Sequence, residues 1–222
     1  CEVAEATEVK AFAPSLNFKV PNGVCWTKDG FLIVVEHNRV LNPAAEFFYE
    51  GPDVAVIEVV PQGKLIPVEE ESFNHGARSC RIGKDGLLYI TLGQPYNVQP
   101  RDKLKLYDEW GIGGIVRMDP FDGGRRQVYA RGIRNSVGLE FNPKDGTLWF
   151  TDNQTDGMGD DIPAGEINRA TKAGQFFGYP WKQGRTRITD QGYDKDPLPA
   201  NITDPQVYMD AHAADLGLAF YT

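Results

Sequence analysis

Three segments of the chain repeat one pattern, and the interval between them constrains the fold more than any other feature. NGVCWTKDGFLIVVE starts at Asn22, HGARSCRIGKDGLLYITLG at His75 and NSVGLEFNPKDGTLWFTD at Asn135. Each joins a short apolar run to a strongly β-prone run through a turn ending in Asp-Gly. Asp-Gly between two such runs signals a hairpin, because glycine enters positive φ without a steric penalty. The turn glycines Gly30, Gly86 and Gly146 recur at intervals of 56 and 60 residues. With β content throughout, a period of this size predicts propeller blades of about four strands each.

Residues 54–60 (VAVIEVV), 114–118 (GIVRM) and 127–130 are expected to supply the remaining strands. Helix signals are weak; the best stretch is 164–172, and a helix there would be short. LGLAFYT at 216–222 echoes VGLEFNP at 137–143, so a further blade is expected to open near Leu216. The reading is therefore an all-β, single partial β-propeller domain over residues 1–222, with about four blades represented. Its open blades would leave unpaired edges, so residues beyond this sequence are expected to close the ring.

The formal net charge of -8 and a pI near 4.9 argue against nucleic acid as a partner, since phosphates would be repelled. No apolar run reaches the ~18 residues of a membrane-spanning helix. Cys1, Cys25 and Cys80 allow one disulfide and one odd thiol, and the spacing does not say which pair forms. Cys1 also stands where a processed bacterial lipoprotein carries its lipid anchor, or is simply the first residue of this sequence.

Three places could carry chemistry. His75 opens the second repeat, where a propeller turns side chains toward its central channel; it is either a turn histidine or a general base. Arg134 and Asn135 occupy the matching entry of the third repeat, an anion-binding fork beside a donor–acceptor amide, or a pair that satisfies loop carbonyls. The following loop gathers Asp152, Asp156, Asp160, Asp161 and Glu166, a donor set suited to Ca²⁺ or to a solvated acidic loop. It is not an EF-hand: the twelfth position is Pro163, not glutamate. GQFFGYPW at 174–181 supplies aromatic packing or a pocket wall. No phosphate loop and no G-x-S-x-G elbow is present.

Taken together, RGIRNSVGLEFNPKDGTLWFTDN, GDDIPAGEIN, GQFFGYPW, NHGARSCRIGKDGLLYITLG and GGIVRMDP resemble the quinoprotein glucose/sorbosone dehydrogenase family. The resemblance implies a six-bladed propeller that oxidises a sugar, or a related hydroxy or aldehyde substrate, by hydride transfer to pyrroloquinoline quinone (PQQ) with the help of Ca²⁺. It implies His75 as general base, Arg134 as the group polarising the quinone carbonyl, and Asn135 and His212 as cofactor contacts. Asn153, Gln154, Thr155 and Asp156 align with the segment whose backbone carbonyls hold the Ca²⁺ that clamps PQQ, and Glu166 falls in the matching acidic turn. The aspartate that orients the family's histidine is replaced by Gln94, which puts base strength in question. The expected partners are a sugar and a cytochrome or quinone electron acceptor, in the periplasm or outside the cell. The alternatives are a non-catalytic propeller scaffold and a Ca²⁺-dependent lactonase-type hydrolase. The lactonase draws its cation ligands from several blades, whereas these carboxylates crowd into one loop.

Overall fold

The computed structural model describes residues 18–43 and 56–221. Cys1 lies outside them, as do positions 54 and 55 of the first predicted edge strand. The first sheet runs β1 (Pro21–Trp26), β2 (Leu32–Glu36), β3 (Val40–Pro43) and β4 (Val56–Val60), in that order and antiparallel. The second runs β5 (Cys80–Ile82), β6 (Leu88–Leu92), β7 (Gly114–Met118) and β8 (Gln127–Arg131). The third opens with β9 (Leu139–Phe141), β10 (Leu148–Asp152) and β11 (Ala164–Ala170). A short β12 (Gln175–Phe176) adds to β8 in parallel, β13 (Lys182–Gln183) and β14 (Thr186–Arg187) form a separate hairpin, and β15 (Val207–Ala211) completes the third sheet beside β11.

All three Asp-Gly hairpins form, with Gly30, Gly86 and Gly146 at φ of 86°, 77° and 73°. β2 and β6 read as continuous apolar runs because both faces are covered. Ile33 and Val35 pack with Cys80, Ile90 and Val116 between the first two sheets, while Leu32 and Val34 face Leu41 on the other side. Leu87 and Tyr89 turn to Leu139, Phe150 and Phe177 between the second and third. Blade-on-blade stacking thus replaces the inside–outside alternation of a two-layer sandwich.

A threonine repeats the same device in two blades. Ser79 N–H donates to Thr91 Oγ1 and Gly138 N–H to Thr151 Oγ1, each at 2.9 Å. The threonine N–H groups return bonds of 3.0 Å to the Ser79 and Gly138 carbonyls. Cys25 pairs with Ile33, Cys80 with Ile90 and Leu139 with Phe150, so the three occupy one position of the repeat. Cys25 and Cys80 form a disulfide between the innermost strands of the first two blades, which settles the pairing left open above.

Three expectations change. Residues 164–170 form a strand: AGEINRA turns Glu166, Asn168 and Ala170 inward and pairs with β10 and β15. The helix lies elsewhere, at α1 (Leu104–Trp110), closed by Gly111 at φ 72°. The described residues hold three blade-like sheets and a hairpin, because the long segment after Asn153 completes the third blade instead of building a fourth. Residues 213–221 carry no strand among the described residues, although Leu216 lies on the third blade's inner edge, its carbonyl accepting Thr151 Oγ1 at 3.0 Å.

Candidate functional site

His75 and Arg134 each sit five residues before an innermost strand, at Cys80 and Leu139. The repeat therefore delivers both to one rim, facing the exits of β6 (Gly93, Gln94) and β10 (Asn153, Gln154). Gly93 is the contact point. A Cβ there would come within 2.4 Å of Asn135 Oδ1 and 2.6 Å of the His75 carbonyl, so only glycine lets the two loops meet.

His75 has φ 53°, and its carbonyl is held by Arg78 Nη1 at 3.0 Å. Arg78 itself is fully buried, with its pKa pulled down to about 10 by burial. The Nδ1 of His75 lies 2.6 Å from the main-chain oxygen of Gln94. A carbonyl can only accept, so Nδ1 carries the hydrogen and Nε2 keeps the lone pair. Burial lowers the imidazole pKa, the Gln94 bond opposes this, and the Arg134 and Arg78 charges lower it further. Gln94 N–H donates to the Arg134 carbonyl at 3.1 Å, so the two peptide groups flanking one residue tie the histidine to the arginine. The Gln94 side chain does not touch the imidazole: it clasps Tyr96 and donates to Tyr179 Oη at 3.3 Å. Orientation of His75 through residue 94 is a main-chain property, unlike the side-chain contact expected from the sequence.

The Arg134 side chain is 4% exposed. Nε and Nη2 donate to the Asn97 main-chain and side-chain oxygens, each at 2.9 Å, and Nη2 meets Asp156 Oδ2 at 3.0 Å. Asn135 is buried beside it, and its Oδ1 has no hydrogen-bond partner among the described residues. An unmet buried amide costs free energy unless a bound group satisfies it.

Beneath this turn lies a carboxylate pair. Asp152 accepts Arg134 N–H at 3.0 Å with each oxygen and Asn135 N–H at 2.8 Å, and it stands directly opposite Glu166 in the β10–β11 register. Glu166 accepts Gly184 N–H at 2.5 Å and Asn168 Nδ2 at 2.8 Å. Burial raises both pKa values, and for Glu166 the Asp152 charge adds to it. Two buried carboxylates across one ladder rung cannot both ionise cheaply, so the pair as a unit keeps a proton to higher pH than free carboxyls do.

Among the described residues no three His, Cys, Asp or Glu side chains converge as a metal cage. The main-chain oxygens of the loop are more informative. The Asn153 carbonyl accepts Gln183 Nε2 at 2.8 Å and Arg134 Nη1 at 3.4 Å, and the Asp156 carbonyl accepts Asn97 Nδ2 at 2.9 Å. The Gln154 and Thr155 carbonyls accept no bond among the described residues. Gln154 sends its side chain away, to the Asp210 carbonyl at 3.2 Å and Asp215 at 3.4 Å. Glu166 is spent on Gly184 and Asn168. His212 is exposed, with Nε2 2.8 Å from the Gly159 carbonyl, on the outer part of the same loop.

Sequence reasoning missed Arg78, Asn97 and Gln183. Their types are ordinary, and only the fold brings them to the site. A cavity of about 1130 Å³ lies beyond Tyr179, lined by Leu104, Tyr107, Arg131, Phe176 and Trp181. None of His75, Arg134 or Asn135 lines it, although Tyr179, which borders it, also bonds to Gln94 and Asn97 beside them.

Residues 58–222 match the family model described as Glucose / Sorbosone dehydrogenase. Aldose sugar dehydrogenase YliI of Escherichia coli is 34% identical over 161 residues, covering 67% of this chain and 41% of its own length. The chain spans about two fifths of the length of the curated relatives it matches. A Trichoderma reesei enzyme of Carbohydrate-Active Enzymes Family AA12 superposes with a TM-score of 0.64 at 20% identity, over 88% of this chain and 57% of the other. The PQQ-bound form of aldose sugar dehydrogenase from Streptomyces coelicolor gives 0.52 at 18% identity, over 96% and 75%. At these identities the solved structures establish a shared β-propeller fold.

Proposed function

The chain belongs to the glucose/sorbosone dehydrogenase family, and from that premise we propose that it supplies the proton-accepting and anion-binding part of a PQQ-dependent sugar oxidoreductase. The observation that carries the reading is the Gln94 main chain, whose carbonyl receives His75 Nδ1–H and whose N–H donates to the Arg134 carbonyl. A base with its lone pair free and a guanidinium are thereby held at one rim.

Arg134 and Asn135 fit the cofactor. The guanidinium matches a carboxylate or a polarised quinone oxygen, and Asn135 has an unsatisfied amide. PQQ, when bound, supplies the two-electron hydride acceptor. His75 Nε2 takes the hydroxyl proton of the substrate, whose carbon loses hydride and becomes a carbonyl. The lowered His75 pKa keeps the imidazole neutral near pH 7 and ready to accept that proton. Arg134 holds positive charge where negative charge grows. Asn97 and Asp156 orient the guanidinium before any ligand arrives.

For Ca²⁺ the Gln154 and Thr155 carbonyls are the fitting donors. They are two of the roughly six to eight oxygens that Ca²⁺ takes, so it would be held together with oxygens of the cofactor and water. On this reading Asn153, Asp156 and Glu166 shape the loop, and His212 braces its outer part against Gly159. The Cys25–Cys80 disulfide supports an oxidising compartment such as the periplasm or the cell exterior.

Reconstituting the intact protein with PQQ and Ca²⁺ and following dye reduction across a panel of aldoses tests the proposal. Reduction with at least one sugar supports it. Bound PQQ with no reduction by any of them overturns it.

A further inference from the structure

We propose that Gln183 is a positioning residue for the cation and cofactor, because its buried amide decides which carbonyls of the Asn153–Asp156 loop remain free. The inference rests on the PQQ and Ca²⁺ reading above.

Gln183 is 1% exposed and belongs to β13, on a hairpin distant in sequence from the loop it contacts. Its Oε1 accepts Thr155 N–H at 2.7 Å and Thr155 Oγ1–H at 3.0 Å, while Nε2 donates to the Asn153 carbonyl at 2.8 Å. An amide has its acceptor and donor in one plane. Gripping Asn153 and Thr155 together therefore fixes the tilt of the peptides between them. The Asn153 carbonyl is drawn to Gln183 and Arg134, and the Gln154 and Thr155 carbonyls are left without donors.

The clamp is anchored on its own side. Gly184 N–H donates to Glu166, and a Cβ at Gly184 would come within 3.2 Å of Ala164, so the hairpin is seated against β11. The Gln154 side chain is withdrawn toward Asp210 and Asp215, and Gly165 makes room for it, since a Cβ there would meet Gln154 Nε2 at 2.4 Å. A group that orients metal donors without touching the metal commonly changes affinity by roughly 10–100-fold when removed.

The test uses Gln183→Met, which keeps the volume and removes all three bonds. PQQ affinity by titration calorimetry, at several Ca²⁺ concentrations, should weaken roughly 10–100-fold, and the Ca²⁺ needed for half-maximal binding should rise. Gln183→Glu keeps the two bonds from Thr155 and loses the donor to Asn153. It should show a smaller loss in the same direction, and it carries the test if the methionine variant does not fold. Unchanged PQQ and Ca²⁺ affinity in either variant overturns the inference. If the wild-type protein binds no PQQ, the functional proposal fails instead. Thr155 amide hydrogen exchange still decides the clamp in that case. The Thr155 amide should be protected in the wild type and in Gln183→Glu, and accelerated in Gln183→Met beyond the amides of β6 and β7; equal acceleration everywhere overturns it.

Discussion

The Nδ1 of His75 meets the main-chain carbonyl of Gln94 at 2.6 Å, and this contact fixes the imidazole tautomer whatever side chain residue 94 carries. Gln94→Ala should therefore keep Nδ1 protonated in ¹⁵N spectra of labelled histidine. Losing the buried amide that clasps Tyr96 and Tyr179 should cost about 1–3 kcal/mol of stability. An Nε2–H tautomer in this variant would place the control in the side chain after all.

Because burial and two neighbouring cations hold the His75 pKa below 6.5, the acid limb of the kcat/KM profile should also lie below that value. Activity then rises with pH as the imidazole loses its proton. A limb above 6.5 would contradict the described environment.

Asp156 is the counter-ion of Arg134, at 3.0 Å. Asp156→Asn should strengthen binding of anions at Arg134, read by calorimetry with PQQ. A large loss of Ca²⁺ affinity would instead make Asp156 a ligand.

Glu166 gives a pH signature to stability. Burial and the Asp152 charge raise its folded pKa above the ordinary value of 4.5, so the folded state binds the extra proton. Its contribution is complete below pH 4.5 and is lost as pH rises through the raised folded pKa, by at most about 1.4 kcal/mol per pH unit. Denaturant melts of the metal-free protein should show this fall, and Glu166→Gln should flatten it. An unchanged slope in the variant would assign the dependence to other groups.

The Cys25–Cys80 disulfide closes a loop with a sequence separation of 55 between two blades. Replacing both cysteines with alanine should destabilise the protein by about 2–4 kcal/mol. Stability unaffected by the change would mean the blade contact is held by packing alone.

Blades were legible because Asp-Gly turns and apolar runs are local signals, and all three hairpins form where they stand in the sequence. The repeat places His75 and Arg134 at equivalent entries, and the fold brings both, with Asn135, to one rim. Residues 164–170 were misread because AGEINRA has weak strand propensity, and pairing with β10 and β15 decides its conformation. Gln183 and Asn97 were invisible for a different reason. An amide acquires a role only through partners 28–37 residues away, as Gln183 does with Thr155 and Asn97 with Arg134. At the proposed cation loop the resemblance already pointed to main-chain carbonyls, and the structure leaves those of Gln154 and Thr155 without donors among the described residues.

In the proposed reaction His75 Nε2 takes the substrate proton. Single-turnover reduction of bound PQQ by an aldose, in wild type and His75→Ala, tests it most directly. The account predicts equal PQQ binding and a fall of about 10²–10⁴-fold in the rate of cofactor reduction. Equal rates in the two proteins would contradict it.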